Sequence, residues 1–381
     1  MKRLSPRKQQ QARIFDMVAR PLWAMFGRMI APRQGPQADV QSVLVVELWR
    51  LGDFALLTPA LGALRRRFPA ARIALLAPPA AEELLRESGL VDEVIPIVMP
   101  WTAEEGKYAL GRYDRRKLWQ RFRALRARRF DVALSARMDL RDNLVMALAG
   151  VRRRVGFDYG GGAYMLTDAL PPGDGHRAED WLALTTHLGA PAGDGALTLR
   201  VSEEEQAWAS QWLAERGIGT GDILAGIHPG ASAAVRRWQA DRFATVAQRA
   251  IASGARALIF EPHQPGASAW PDGSVLAPAT SLRQFMALLE RCDVVVCNDS
   301  GPMHIAAALG VATVSVFTAQ RPDWYAPQGR EHAFAIVPGF ACRPCFDACV
   351  FSEPYCNSTL GVERVLPLVD QALARVTASR G

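Results

Sequence analysis

The stretch Val294-Val295-Val296-Cys297-Asn298-Asp299-Ser300-Gly301-Pro302-Met303-His304 joins a strand to a helix with almost nothing in between. Val294 to Cys297 is an unbroken apolar run, the pattern of a parallel strand buried on both faces. Asp299 or Ser300 suits a helix N-cap and Pro302 the first helical position, so a helix is expected over 302–309. Backbone N–H groups at such a helix start, with Gly301 permitting close approach, form a cradle for phosphate. An ordinary capped helix would carry the same residues. The stretch is neither the Gly-x-Gly-x-x-Gly dinucleotide fingerprint nor a Walker-type Gly-Lys-Ser/Thr loop.

A strand–helix rhythm extends on both sides of it. Strand Ile223 to Ile227 ends at His228-Pro229-Gly230; helix 241–252, strand Ala257 to Phe260, helix 281–290 and, downstream, strand Thr313 to Phe317 complete a series. Ser202 N-caps an expected helix over 203–216, with Glu203 to Glu205 in its first turn. The N-terminal half repeats the pattern. Val43 to Leu48 is a strand broken only by Glu47, and the turn Trp49-Arg50-Leu51-Gly52-Asp53 leads into a helix with Leu57, Leu61, Leu64 and Phe68 on one face. Strand Arg72 to Ala77, helix 80–88, strand Glu93 to Val98, a basic helix within 112–129 and strand Asp131 to Ser135 follow, while 171–200 is rich in Gly, Pro and Asp. The fold class is therefore α/β, with two open-sheet units joined near 190–220. The expected organisation is a basic amphipathic extension and linker over 1–40, a first domain over 41–200 and a second over 201–381. Ligands in such sheets bind beyond the carboxyl ends of the strands.

A length of 381 residues fits about two domains. With 49% hydrophobic and 22% charged residues the chain can bury sizeable cores, which excludes a disordered protein. The longest near-candidate for a membrane span, Ile305 to Phe317, is too short and carries Gly310, Thr313 and Ser315. The charge is uneven: residues 1–40 hold eight cations against Asp16 and Asp39, a net +6, so the remainder carries only +1 of the total +7. That excludes a nucleic-acid-coating body and describes a basic arm. Within the arm Ile14, Val18, Leu22, Met25, Phe26 and Met29 fall at helical spacing, and Pro21 is expected to kink or interrupt the helix. Two readings stand: an anchor on an anionic membrane surface, or a helix packed on its own domain. With no signal peptide in view, a reducing cytoplasm is expected.

Three loops carry chemistry. The first is the 298–304 stretch. The second, His228-Pro229-Gly230-Ala231-Ser232 followed by Arg236-Arg237-Trp238, offers a hydroxyl, N–H groups and cations to a pyrophosphate. The third, Leu51-Gly52-Asp53, sets a carboxylate above a strand, where it either faces a ligand or caps a helix. Cys292 and Cys297 read as buried thiols. The run Cys342-x2-Cys345-x3-Cys349-x6-Cys356 suits a tetrahedral Zn or Fe site, with unligated thiols or disulfides as alternatives.

The strand leading to Leu51-Gly52-Asp53, the His228–Trp238 segment and Asn298 to Gly310, in this order and spacing, resemble glycosyltransferase family 9, the ADP-heptose:lipopolysaccharide heptosyltransferases, over roughly residues 41–370. The resemblance implies a GT-B fold of two Rossmann-like domains facing a central cleft, acceptor on the N-terminal side and nucleotide-sugar on the C-terminal side. It implies inverting transfer of a heptose from ADP-heptose to a lipopolysaccharide core acceptor of the lipid A–Kdo type, with no cofactor required for catalysis. In keeping with that, the chain has no Asp-x-Asp metal motif. On matching positions, Asp53 is implied as the general base, and Ser232 and Arg236 as the hydroxyl and cation on the diphosphate. Asp299, Ser300 and Gly301 match the β-phosphate loop, and His304 belongs to the same motif. Many relatives carry a similar C-terminal cysteine pattern, and one branch binds iron through it.

The chain departs from the family after two strands: Phe260-Glu261-Pro262-His263 replaces a Gly-Gly turn, with Glu261 a candidate for the ribose, and Thr318-Ala319-Gln320 stands where Gly is common. Arg137 and Arg141 follow a strand in the acceptor half and suit a polyanionic acceptor; most of 112–129 reads as a solvated face. The expected place of work is cytoplasmic, peripheral on the inner face of the inner membrane, with no nucleic-acid partner. Rivals are a family 9 transferase using another nucleotide sugar for a capsule or glycoprotein, a catalytically silent nucleotide-sugar-binding protein, and a Rossmann-type oxidoreductase, which lacks its glycine fingerprint here.

Overall fold

A computed structural model describes residues 6–30, 39–102, 114–193, 195–260, 269–345 and 349–380. The chain forms two compact units, Met1–Gly195 and Ala196–Gly381. In the first, helix α1 (Pro6–Ile30) precedes β1 (Ser42–Val46), α2 (Leu51–Arg67), β2 (Arg72–Ala77), α3 (Ala80–Leu85) and β3 (Glu93–Pro96). Then come α4 (Arg115–Ala127), β4 (Val132–Leu134), α5 (Leu140–Leu148), β5 (Arg153–Phe157), β6 (Asp168–Leu170) and α6 (Arg177–His187). All its strand pairs are parallel, in the order β3-β2-β1-β4-β5-β6. Val43 to Val46 are completely buried, as an apolar strand covered by helices on both faces must be.

The second unit starts with α7 (Glu203–Ala214), β7 (Leu224–His228), α8 (Ala240–Ala252), β8 (Arg256–Ile259), β9 (Ser274–Leu276) and α9 (Leu282–Glu290). It continues with β10 (Val294–Asn298), α10 (Gly301–Ala308), β11 (Ala312–Phe317), α11 (Pro322–Tyr325), β12 (Ala333–Ile336), α12 (Tyr355–Ser358) and α13 (Leu366–Arg380). Its parallel sheet runs β12-β11-β10-β7-β8-β9, the same winding as the first. Each unit is thus Rossmann-like, and each sheet reverses its strand order at one place: between β1 and β4, and between β7 and β10. Ser202 caps α7 as expected, its hydroxyl accepting the Glu205 N–H at 3.3 Å.

Several elements differ from the pattern reading. Helix α1 runs through Pro21 without ending there, and α2 begins at Leu51, so Leu51-Gly52-Asp53 is its first turn, not a loop before it. The Gly/Pro/Asp-rich 171–200 region contains α6, whose cap is His176: its Nδ1 accepts the Ala178 N–H at 3.3 Å, and Glu179 accepts the His176 N–H at 3.1 Å. Arg154 is fully buried and serves the fold, donating from Nε to the Met165 carbonyl at 2.6 Å, while Arg153 pairs with Asp168 at 3.0 Å.

Candidate active site

The loops flagged as chemical lie at the switch points of the two sheets. In the second unit, β10 hands over to α10 through Asp299 and Ser300 alone. Ser300 is the N-cap in extended conformation (φ −153°, ψ 173°), and its hydroxyl donates to the Asn298 carbonyl at 3.2 Å. The Ser300 side chain makes no capping hydrogen bond to α10. Its first-turn N–H groups and the positive end of its dipole suit an anion there. Asp299 is buried, with Oδ2 3.8 Å from Nη1 of Arg236. Arg236 ends a short 3-10 turn, Ala234–Arg236, and the Ser232 hydroxyl side chain is exposed just before it. Four of the expected phosphate-binding positions thus come from two adjacent strand ends.

What joins those two ends is Asn298, a residue the motif reading passed over. Its side chain is fully buried; Nδ2 donates to the Pro229 carbonyl at 2.7 Å, and Oδ1 accepts the Trp238 N–H at 3.0 Å. One amide therefore fastens both margins of the 229–238 loop to the end of β10. The sequence signal was available: a polar residue ending an otherwise apolar strand needs partners once buried. Thr318, noted only as a departure, adds a second tie by donating to the Val235 carbonyl at 2.8 Å. His304 is buried within α10, edge-on to Tyr325 with ring centroids 6.5 Å apart, and makes a packing contact. Glu261 lies outside the described residues.

In the first unit, Asp53 is the third residue of α2 and half-buried; its Oδ2 accepts the Arg50 N–H at 3.2 Å. Beside it lies a group of charges that the sequence reading missed in part. Glu47, at the end of β1, is 1% exposed and accepts the Trp49 N–H at 3.1 Å. Nη1 of Arg137, beyond β4, is 3.7 Å from Glu47 while Nε is 4.0 Å from the buried Asp142, and the guanidinium lies 4.0 Å above the Trp49 ring. Burial pushes the Glu47 carboxyl up to about 8; the Arg137 cation opposes this, and the charges of Asp53 and Asp142 add to it. Asp142 is pushed up to about 7, by burial and then by the Asp139 charge. Arg141 is paired with Asp139 and lies 5.3 Å from the Trp101 ring centre. Arg137 is therefore brought to the end of β1 beside Glu47, while Arg141 is held on Asp139; each is already engaged by carboxylates. The exposed cations of α4 do not converge there: Leu118, Phe122 and Leu125 turn its apolar side into the core and leave the rest to water.

Residues 115–355, more than half of the chain, match the model of glycosyltransferase family 9 (heptosyltransferase). The chain belongs to glycosyltransferase family 9. This family 9 enzyme is 28% identical over 327 residues to lipopolysaccharide heptosyltransferase 2 of Escherichia coli K12, covering 78% of this chain and 89% of that one. Its fold is shared with a family 9 glycosyltransferase of Veillonella parvula (TM-score 0.75, 21% identity, 90% and 100% of the two chains). It is shared also with E. coli ADP-heptose lps heptosyltransferase II (TM-score 0.66, 22% identity, 88% and 99%). The fold class is accordingly GT-B, built of two Rossmann-like units.

The cysteines of the transferase complete the inventory. All six are free thiols. Cys292 and Cys297 are buried as expected, and burial pushes Cys297 up to about 12. Cys345 is pushed up to about 12 by burial and by the charges of Cys342, Cys356 and Cys349, so the four C-terminal thiols lie within electrostatic reach of one another. Among the described residues, however, no group of three or more His, Cys, Asp or Glu is arranged to hold a metal ion. The segment is tied to the end of β11: Arg343 donates from Nε to the Thr318 carbonyl at 3.1 Å, and the Cys345 N–H donates to the Ala319 carbonyl at 3.1 Å.

Proposed function

We propose that this family 9 transferase moves a heptose from ADP-heptose to an inner-core lipopolysaccharide acceptor, with inversion and without a catalytic metal. The observation that carries the reading is the Asn298 amide, which fastens both margins of the loop carrying Ser232 and Arg236 to the strand end that leads into α10. Together they offer a cation, a hydroxyl and oriented N–H groups to the two phosphates of a leaving nucleoside diphosphate. The heptosyltransferase relatives supply the sugar. In the first unit, Asp53 takes the proton of an acceptor hydroxyl as that oxygen forms its bond to the anomeric carbon. The bond from that carbon to the β-phosphate oxygen breaks on the opposite face, and ADP leaves with its new charge facing Arg236 and the α10 amides. A general base contributes about 10²–10⁴-fold; alignment and leaving-group stabilisation supply the remainder.

Because the acceptor is built on lipid, the reaction belongs at the inner face of the inner membrane. No helix among the described residues is long and apolar enough to cross a membrane. A second reading within the family, a different nucleotide sugar, rests on the unusual Thr318-Ala319-Gln320 run after β11. Calorimetry against ADP, UDP, GDP and NAD separates the readings. ADP is expected to bind at least about tenfold more tightly than the others. Preference for UDP or GDP would move the enzyme to another sugar class, and preference for NAD would overturn the transferase reading of the site.

A further inference from the structure

Helix α1 precedes the residues of the family match and is held on the first unit by one face only. Oδ1 of Asp16 accepts the Gly162 N–H at 2.9 Å, Gln9 donates to the Tyr159 hydroxyl at 3.0 Å, and Trp23 lies against Tyr164 with ring centroids 6.3 Å apart. Gly161 and Gly162 both have positive φ (87° and 72°), and a Cβ on Gly161 would come within 2.9 Å of Ala12 Cβ. The seat is therefore built by the glycine turn between β5 and β6. The other side is apolar and bare: Ile14, Val18, Leu22, Met25 and Met29 are 56–80% exposed. At about 100° per residue these five cover an arc of about 80°, centred roughly opposite the face that holds Ala12, Asp16 and Trp23. The helical positions of Lys8 and Arg28 fall about 80° to either side of that stripe's centre. Arg13 and Arg20, about 140° and 160° from that centre, fall on the side of the seat, and residues 1–40 carry a net +6.

A bare stripe of large apolar side chains is unfavourable in water unless something covers it. Cations at the positions flanking the stripe oppose a second copy of the same helix, since like charges would meet. They complement a negatively charged partner with an apolar interior. We infer that α1 is a docking surface for an anionic lipid bilayer, lying in the headgroup layer with its Ile14–Met29 stripe toward the acyl chains. Its seat on the β5–β6 turn makes the unit carrying Asp53 the membrane-facing one, so a lipid-borne acceptor is met at the bilayer by the half that handles it. The inference rests on the proposed function for that last step alone.

Sedimentation of the full-length protein with sucrose-loaded vesicles tests it. Vesicles of phosphatidylcholine with about 30% phosphatidylglycerol are expected to bind, phosphatidylcholine alone much less, and salt near 0.5 M to weaken the difference. The triple variant Val18→Glu/Leu22→Glu/Met25→Glu, at exposed positions, is expected to lose at least about tenfold in partitioning with an unchanged thermal unfolding curve. Lys8→Glu/Arg28→Glu, at the two positions flanking the stripe, is expected to lose binding to the anionic vesicles selectively. No binding of the wild-type chain to either vesicle overturns the inference, as does a dimer in light scattering that the triple variant dissolves. ADP binding and transfer to a detergent-dispersed acceptor report separately on the function, so loss of one reading leaves the other standing.

Discussion

Asp53 has a local task as well as the proposed chemical one, since its carboxylate accepts the Arg50 N–H at the start of α2. Its neighbour Glu47 shows how burial sets chemistry. The sequence displays Glu47 only as the polar break in a strand. That it would be sealed in, with Arg137 and Asp142 as its companions, depends on β4 pairing beside β1, which no local pattern announces. The Glu47 carboxyl is raised from 4.5 to about 8, so the folded state holds its proton more tightly than the unfolded chain does. That contribution to stability is complete below about pH 4.5 and is lost progressively as pH rises from there to about 8. Glu47→Gln, which mimics the protonated acid, should therefore unfold close to wild type below about pH 4.5, gain on it progressively between about pH 4.5 and 8, and keep a constant lead above pH 8. Unfolding temperatures measured across this range check the sign; parallel curves for the two proteins would rule the assignment out.

Among the elements, the strands with long apolar runs were legible and those with short or edge positions were not. Val43–Val46, Arg72–Ala77 and Val294–Asn298 stand out because both faces of each are covered. By contrast β6 is three residues, Asp168-Ala169-Leu170, only partly buried, and carries no such run. Helix starts followed the same rule. Ser202 and Ser281 advertise α7 and α9, whereas α2 and α6 begin after Arg50 and His176, residue types that do not read as caps. The 228–238 and 298–304 loops were legible as a list of groups, but their assembly depends on Asn298, whose partners are 69 and 60 residues away in sequence. Removing that amide by Asn298→Ala leaves the Pro229 carbonyl and the Trp238 N–H without it, which costs about 1–3 kcal/mol for each buried group left unsatisfied. The variant should melt earlier and bind ADP more weakly. Arg236→Ala, on a partly exposed side chain, should weaken ADP binding roughly tenfold or more with little change in melting. Calorimetry on the melting-matched pair checks this, and wild-type ADP affinity in Asn298→Ala would exclude the staple.

At the scale of the whole molecule the chain is one winding used twice, and the repeated rhythm of strand and helix makes that much readable before any pairing is known. The order of strands is set by long-range contacts, yet the βα rule already places ligands at the carboxyl ends. The two units keep separate cores, one around Phe130 and Val145, the other around Trp238 and Phe243. Nucleotide alone is therefore expected to slow hydrogen exchange over 228–238 and 298–304 of the second unit and to leave the first unit unchanged. Protection confined to the strand ends around Asp53 would place the nucleotide in the wrong half.

The account stands or falls with the division of labour between a unit that grips the leaving diphosphate and a carboxylate that takes the acceptor's proton. Asp53→Asn keeps a side-chain oxygen for the Arg50 N–H while removing the base, so its fold should hold. Single-turnover transfer from ADP-heptose to a heptose-deficient core acceptor should fall by at least about 10²-fold, with ADP affinity within about twofold of wild type. Transfer at a rate within about threefold of wild type would contradict the account.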